Sequence, residues 1–288
     1  MRKIIAVAFV LSLLLMACQK EADLQDPGNG SGGGTVNPGG GVATAQSLLT
    51  RAVQVDGSDS VVHTFFYNAA GQLMRYDYTD GSDFSVNKIN RNANGIITQL
   101  VISGSDISSI GLDSVVQTVL YNTGSSQYTG RRSRITLNGV TYADSTAYAY
   151  DATGNISTAV SYNQTASLPY ASYEKYDYTY TAGNLTGQKI YDHGGTNSLT
   201  WQLAETFANT YDAKVNPLKL GAEAVLLELN GFFGPNNVNT VTGTNHSNAA
   251  NSYSLTYAYT YNAANKPTNA AVVENPGAHS TALRFYYN

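Results

Sequence analysis

The feature that most limits what this chain can become is a hairpin, written several times over in period-two alternation. Its clearest copy is AYAYDATGNISTAV at Ala147–Val160. Tyr148 and Tyr150 alternate with small residues, Asp151-Ala152-Thr153-Gly154-Asn155 has turn chemistry, and Ile156 to Val160 begins a return strand. Variants stand at Phe65–Tyr76, Tyr176–Tyr191 and Tyr257–Val273. A side-chain period of two sends alternate residues to opposite faces of a strand, so such a chain builds sheets.

The alternation predicts strands from Ser47–Val55 to Thr281–Tyr287, joined by short loops. Asp56-Gly57-Ser58-Asp59 and Asp80-Gly81-Ser82-Asp83 read as two copies of one tight turn, with glycine taking the positive φ, and Asn138-Gly139 is a two-residue hairpin signal. A calcium loop is the competing reading of the DGSD pair, and the ligand spacing it needs is absent. Short connections make consecutive strands antiparallel neighbours. About 15 strands exceed what a flat twisted sheet holds. The expected fold is therefore all-β: a large antiparallel meander, forming a strongly curved sheet or an incomplete or closed barrel, with one short helical insert.

That insert is 216–237. Glu223–Leu229 contains good helix formers between Gly221 and Asn230-Gly231, and Leu218, Leu220, Val225, Leu226, Leu229, Phe232 and Phe233 exceed what a loop needs. It should pack over or into the end of the curved sheet and seal an apolar opening. A ligand lid is the alternative.

Before the strands comes a targeting segment. Arg2 and Lys3 precede the apolar run Ile4–Leu15, which is of signal-peptide length and short for a membrane span. Leu15-Met16-Ala17-Cys18 resembles a bacterial lipobox, which implies a signal peptide at 1–17 and lipidation of Cys18. Cys18 is the only cysteine, so no intrachain disulfide can form. A lipid anchor holds a protein on a membrane without a transmembrane helix. Gln19-Lys20-Glu21-Ala22-Asp23 resembles the export signal of surface lipoproteins in Bacteroidetes-type bacteria, which favours the cell surface over the periplasmic face of the outer membrane. Residues 18–42 are then the lipidated N-terminus and a glycine-rich tether, with a coil span of roughly 25 Å, and 43–288 is one β-meander domain.

Composition narrows the partners. The formal net charge of −4 and the lack of a basic stripe argue against nucleic acid. Arg131-Arg132-Ser133-Arg134 is the one basic cluster, read as the solvated side of a strand. Only 12% of residues are charged, while Tyr, Thr, Ser, Asn and Gly abound, as in extracellular β proteins.

The chemistry-bearing motifs are missing. There is no HExxH, CxxC pair, Walker loop or GxSxG, and His63, His193, His246 and His279 have no ligand spacing. His193-Gly194-Gly195 has the look of an esterase oxyanion loop without a nucleophile, and a hairpin turn explains it better. No catalytic residue, metal or cofactor is expected. Candidate ligand contacts are Trp201, Phe232, Phe233, Tyr257 and Tyr259, since sugars stack on aromatic faces. The competing reading, which we favour, is packing: tyrosine rows such as Tyr253 to Tyr261 suit strands, with rings packed and hydroxyls in water. Asp59-Ser60-Val61, Asp113-Ser114-Val115 and Asp144-Ser145-Thr146 resemble an O-glycosylation acceptor of Bacteroidetes-type bacteria, making Ser60, Ser114 and Ser145 candidates.

Two resemblances follow from these residues. The Y-x-Y-[ND]-A-x-G-[NQ]-[LI] units at Tyr148–Ile156, Phe65–Leu73 and Tyr178–Leu185 resemble YD/Rhs-type repeats, which build β-hairpin shells. Lipobox, tether, tyrosine-rich hairpins and Tyr211-Asp212-Ala213-Lys214-Val215-Asn216-Pro217 before a leucine-rich insert are together similar to a family of uncharacterised Bacteroidetes surface lipoproteins with a porin-like β fold. That likeness implies a fold and an address, and no chemistry. The expected function is a lipid-anchored envelope protein that binds a glycan or a protein partner without catalysis. The alternatives are a polysaccharide-acting hydrolase and a structural outer-membrane barrel.

Overall fold

The computed structural model describes residues 48–165, 168–193, 200–276 and 279–288. Cys18, the tether and most of the His193-Gly194-Gly195 stretch lie outside the described residues. Sixteen strands follow one another: β1 (Leu49–Asp56), β2 (Asp59–Tyr67), β3 (Leu73–Asp80), β4 (Asp83–Arg91), β5 (Ile97–Gly104), β6 (Val115–Asn122), β7 (Gln127–Leu137) and β8 (Val140–Tyr150). The second half holds β9 (Ile156–Thr165), β10 (Leu168–Thr181), β11 (Asn184–His193), β12 (Trp201–Val215), β13 (Asn236–Asn245), β14 (Tyr253–Tyr261), β15 (Pro267–Asn275) and β16 (His279–Tyr287). Each pairs with its neighbours in sequence, and β1 pairs with β16, so the meander closes into a barrel.

Strand direction alternates, so every second turn falls at the same end. The repeated five-residue turn occupies one end only, called here the turn end. In Asn68–Gln72 the Asn68 side chain accepts from Ala70 N and Gln72 N, and Gly71 N donates to the Asn68 carbonyl. The same pattern is built on Asn92, Asp151 and Asn262. Its fourth residue needs a left-handed backbone, supplied by glycine at 71, 95 and 154 (φ 75°, 78° and 86°) and by Asn265 at φ 59°.

Just before each turn-end hairpin closes, the register slips by one residue, at Tyr67, Arg91, Tyr121, Tyr150, Tyr180, Tyr211 and Tyr261. A bulge there re-aims the side chain that follows. Tyrosine hydroxyls then donate to a carbonyl at the start of the preceding strand. The bonds are Tyr67 to Leu49, Tyr150 to Tyr128, Tyr180 to Ile156, Tyr211 to Leu185, Tyr259 to Val238 and Tyr287 to Pro267, at 2.5–3.1 Å. In β4, Arg91 takes the tyrosine's place and donates to the Leu73 carbonyl at 3.1 Å. The expectation of wet hydroxyls was wrong for these tyrosines, which bond back to the backbone, Tyr67, Tyr150, Tyr180 and Tyr211 doing so at a bulge.

The tyrosine rows face the lumen. Along β14, Leu255 and Tyr257 are buried whereas Thr256, Ala258 and Thr260 are exposed or nearly so. The outward rows of β12 and β13 likewise read Thr206, Ala208, Thr210 and Thr240, Thr242, Thr244. The inner face is thus aromatic and aliphatic, and this part of the outer wall is small and polar, the reverse of a lipid-facing band.

The insert between β12 and β13 enters the lumen from the turn end and fills that end of it. A one-turn helix, Ala222–Leu226, leads into the 3-10 turn Asn230–Phe232. Leu218, Leu226, Leu229 and Phe232 join wall residues Leu49, Phe65, Leu73, Ile97 and Phe285 in the main core, and Val225 and Phe233 pack with Ile156 and Leu185. The 211–217 stretch latches this plug. Asp212 accepts from Asn237 N at 3.1 Å, from Lys214 N at 2.9 Å and from the Tyr261 hydroxyl, while Asn216 Nδ2 donates to the Gly231 carbonyl at 3.1 Å. Arg91 and Glu223 add a two-pronged ion pair, both contacts at 2.7 Å, joined by the Tyr128 hydroxyl.

Candidate functional site

The plug ends part-way up the barrel, and its tip is Glu228. This residue follows the short helix with φ 59°, a left-handed conformation uncommon outside glycine and asparagine. The turn places its carboxylate on Arg131, which also donates from Nη1 to the Leu226 carbonyl at 3.1 Å. Tyr76 donates to the Leu227 carbonyl at 3.1 Å. Both wall contacts put the tip inside the ring of strands.

The Glu228 side chain is 63% accessible, against 16% for Arg131. A tip held by inward-facing residues of β3 and β7 and still open to solvent leaves its carboxylate facing a hollow within the barrel. Pairing registers identify the wall of that hollow. Arg131 lies opposite Thr146 on β8, so Asp144 and Tyr148 share its inward face. Ala159 on β9 lies between Tyr148 and Tyr176, which brings Glu174, Tyr176 and Tyr178 of β10 to the same face. Tyr176 and Tyr178 stack nearly parallel, with centroids 6.2 Å apart and planes at 8°, and the Tyr176 hydroxyl donates to Glu174. The Tyr148 hydroxyl and Arg131 Nε are shielded from solvent and have no partner in the protein.

The two carboxylates at the hollow are held differently. The Arg131 guanidinium keeps Glu228 below the usual carboxylate range, overriding burial. Burial raises Glu174, the Tyr176 hydrogen bond only partly opposes this, and the charges of Asp192, Glu228 and Asp144 raise it further. Asp192 faces Glu174 across the β10–β11 pair. Glu205, one strand on, is 6% exposed, raised by burial, and accepts from Asn245 Nδ2 at 3.0 Å. This side of the lumen is acidic.

The aromatic ligand candidates lie elsewhere. Phe232, Phe233 and Tyr257 are 1–5% exposed and serve the core, which leaves them no open ring face. Tyr259 donates to the Val238 carbonyl, and Trp201 begins β12 at the end remote from the turns, half-buried. Ser60 and Ser145 face outward on β2 and β8, and Ser114 precedes β6. Ser145 also borders an outer depression of about 540 Å³ together with Thr118, Arg132, Arg134 and Tyr162. Of the basic cluster, Arg132 and Arg134 are solvated as expected. Arg131 is the correction, because strand alternation turns it inward.

Sequence reasoning missed Arg131, Tyr148, Glu174 and Glu228 as a group. One signal was present: a charged residue, Glu228, standing in the apolar run Val225–Leu229. Among the described residues no cluster of His, Cys, Asp and Glu suits a metal ion.

Comparison with solved structures reveals similar barrels at low identity. A porin-like protein from Bacteroides uniformis ATCC 8492 superposes with a TM-score of 0.52 at 12% identity, covering 83% of this chain and 98% of that one. A porin-like protein from Bacteroides vulgatus ATCC 8482 gives 0.51 at 14% identity over the same shares. No family model matches the sequence, and no curated protein does. The likeness is one of fold: a porin-like β-barrel.

Proposed function

We propose that the protein is a lipid-anchored barrel of the bacterial outer envelope that binds a small hydroxylated ligand, a glycan segment, in the hollow above its plug, without catalysis. The observation that carries this reading is Glu228, accessible to solvent inside a closed wall and on the same side of the lumen as the parallel Tyr176 and Tyr178 rings. Aromatic faces stack on the apolar faces of sugar rings, and carboxylates and donors match their hydroxyls. β1 begins at the turn end, so the tether joins the barrel on its plugged side.

A glycan array probed with residues 43–288 tests the reading. Saturable binding that Glu228→Gln weakens supports it. Absence of binding to every glycan removes it, and release of reducing ends during incubation moves it to the hydrolase alternative.

A second reading, a barrel embedded in the outer membrane, is favoured by the likeness to porin-like proteins. The Thr, Ala and Ser outer rows of β12–β14 oppose it. Monodisperse behaviour of the unlipidated chain without detergent supports the anchored form, whereas aggregation that only detergent reverses supports the embedded one.

A further inference from the structure

The depression on the outer wall of β6–β9 is a second site, independent of the hollow. We propose that it binds a sugar phosphate, with Arg132 and Arg134 holding the phosphate monoester.

Register builds the site. Thr118 on β6 pairs with Arg132 on β7, Arg132 with Ser145 on β8, and Ser145 with Tyr162 on β9. One row across four strands therefore presents a hydroxyl, a guanidinium, a second hydroxyl and a phenol ring to the outward face. With strands about 4.8 Å apart, the row spans about 14 Å. Arg134 stands two residues along β7, on the same face and about 7 Å from Arg132 at the Cα. All of these residues line the depression of about 540 Å³, to which Val116 adds an apolar side.

Charge selects the ligand. Arg132 and Arg134 are exposed and make no ion pair among the described residues. The one acidic residue at the depression is Asp144. Register turns its side chain inward, where its charge acts on Arg131, Tyr148 and Glu174. Two cations without a counter-ion match a phosphate monoester, which carries about −1.5 to −2 at neutral pH, better than they match a single carboxylate. Guanidinium forks also pair with phosphate oxygens two at a time. The net charge of −4 repels anions at long range, so the attraction here is that of the local pair. A bare phosphate leaves most of the volume empty. Depressions of this size hold small organic ligands, and the row of hydroxyls suits a polyol beside the phosphate.

The test is titration calorimetry on the full chain in uncharged, non-sugar detergent micelles at neutral pH, with a mass measurement showing that Ser145 is unmodified. The probes are glucose 6-phosphate, glucose, glucuronate, inorganic phosphate and glycerol 3-phosphate. Glucose 6-phosphate should bind saturably, one per chain. Glucuronate and inorganic phosphate should bind at least about tenfold more weakly, and glucose not measurably. Arg132→Gln and Arg134→Gln should each weaken the sugar phosphate at least about tenfold while the melting curve stays unchanged. Lys189→Gln removes the same charge from an exposed position on β11 and should stay within about twofold. An equal loss in Lys189→Gln overturns the proposal, because the attraction is then diffuse. Inorganic phosphate or glucuronate binding as tightly as glucose 6-phosphate overturns it too. Glycerol 3-phosphate binding more tightly than the sugar phosphate assigns the site to a lipid headgroup and also overturns it, as does the absence of binding by every phosphate. None of these results touches the glycan reading of the hollow, which the array decides separately.

Discussion

The two ends of the barrel are built on opposite terms. At the turn end, hairpins repeat one turn, tyrosines are tied to backbone carbonyls, and the plug fills the lumen with leucine and phenylalanine. Towards the other mouth the repetition lapses. Loops differ in length, and Glu174, Asp192 and Glu205 turn carboxylates inward without a cation on any of them among the described residues. The repeated ties and the apolar plug are concentrated at one end, and carboxylates without a cation at the other. The difference teaches where to look for binding: a polar cluster that weakens the fold persists in structures mainly where it has other work.

Three experiments would break or sharpen that contrast. Phe232→Ala, which hollows the plug, should cost about 3–5 kcal/mol in urea unfolding; a loss below about 1 kcal/mol would mean that the plug does not hold the turn end together. Tyr150→Phe deletes one hydroxyl tie and leaves the Tyr128 carbonyl short of a donor, for a loss of about 1 kcal/mol. The matching change Tyr142→Phe, near the other mouth, where the side chain is 37% exposed, should stay within about 0.5 kcal/mol. Equal costs at the two sites would erase the distinction.

The smallest effect concerns pH. Glu174 is raised by burial, so the folded state holds its proton at pH values where the unfolded chain has released it. Its contribution therefore weakens stability as pH rises through and above the ordinary carboxylate range. Glu174→Gln should melt with the parent near pH 4 and slightly above it at pH 7. Glu228, held low by Arg131, has the opposite sign: its contribution is present at neutral pH and is lost as pH falls below the ordinary range. Melting curves of Glu228→Gln should accordingly lie below the parent at pH 7 and converge with it in acid.

Much of the fold was legible because the hairpin unit is local. Turn residues such as Asp151 and Gly154 and the alternation around Tyr148 act over a few positions, and each copy states the same geometry. Closure was not legible. It depends on β1 meeting β16, whose register is set by nothing near either strand. The tyrosine rows were visible, but not which face was the inside, since Tyr against Thr suits either sidedness until the plug supplies an apolar interior. The Tyr211–Pro217 motif stood out in sequence and proves to be the latch of the plug. The candidate site was nearly invisible, since Arg131, Tyr148, Glu174 and Glu228 come from three strands and a loop and meet only once the ring forms.

That ring has a kinetic consequence. Its seam is sewn by residues at the two limits of the barrel: Asn288 N donates to the Leu48 carbonyl at 3.0 Å, and Leu48 N donates to the Asn288 side chain at 2.6 Å. Until the last strand is made, β1 presents a bare edge to its surroundings, open to a neighbouring copy. Folding should therefore be slow and dependent on protein concentration, and a circular permutant that joins residues 288 and 48 through a short linker should fold faster by making that rare encounter local.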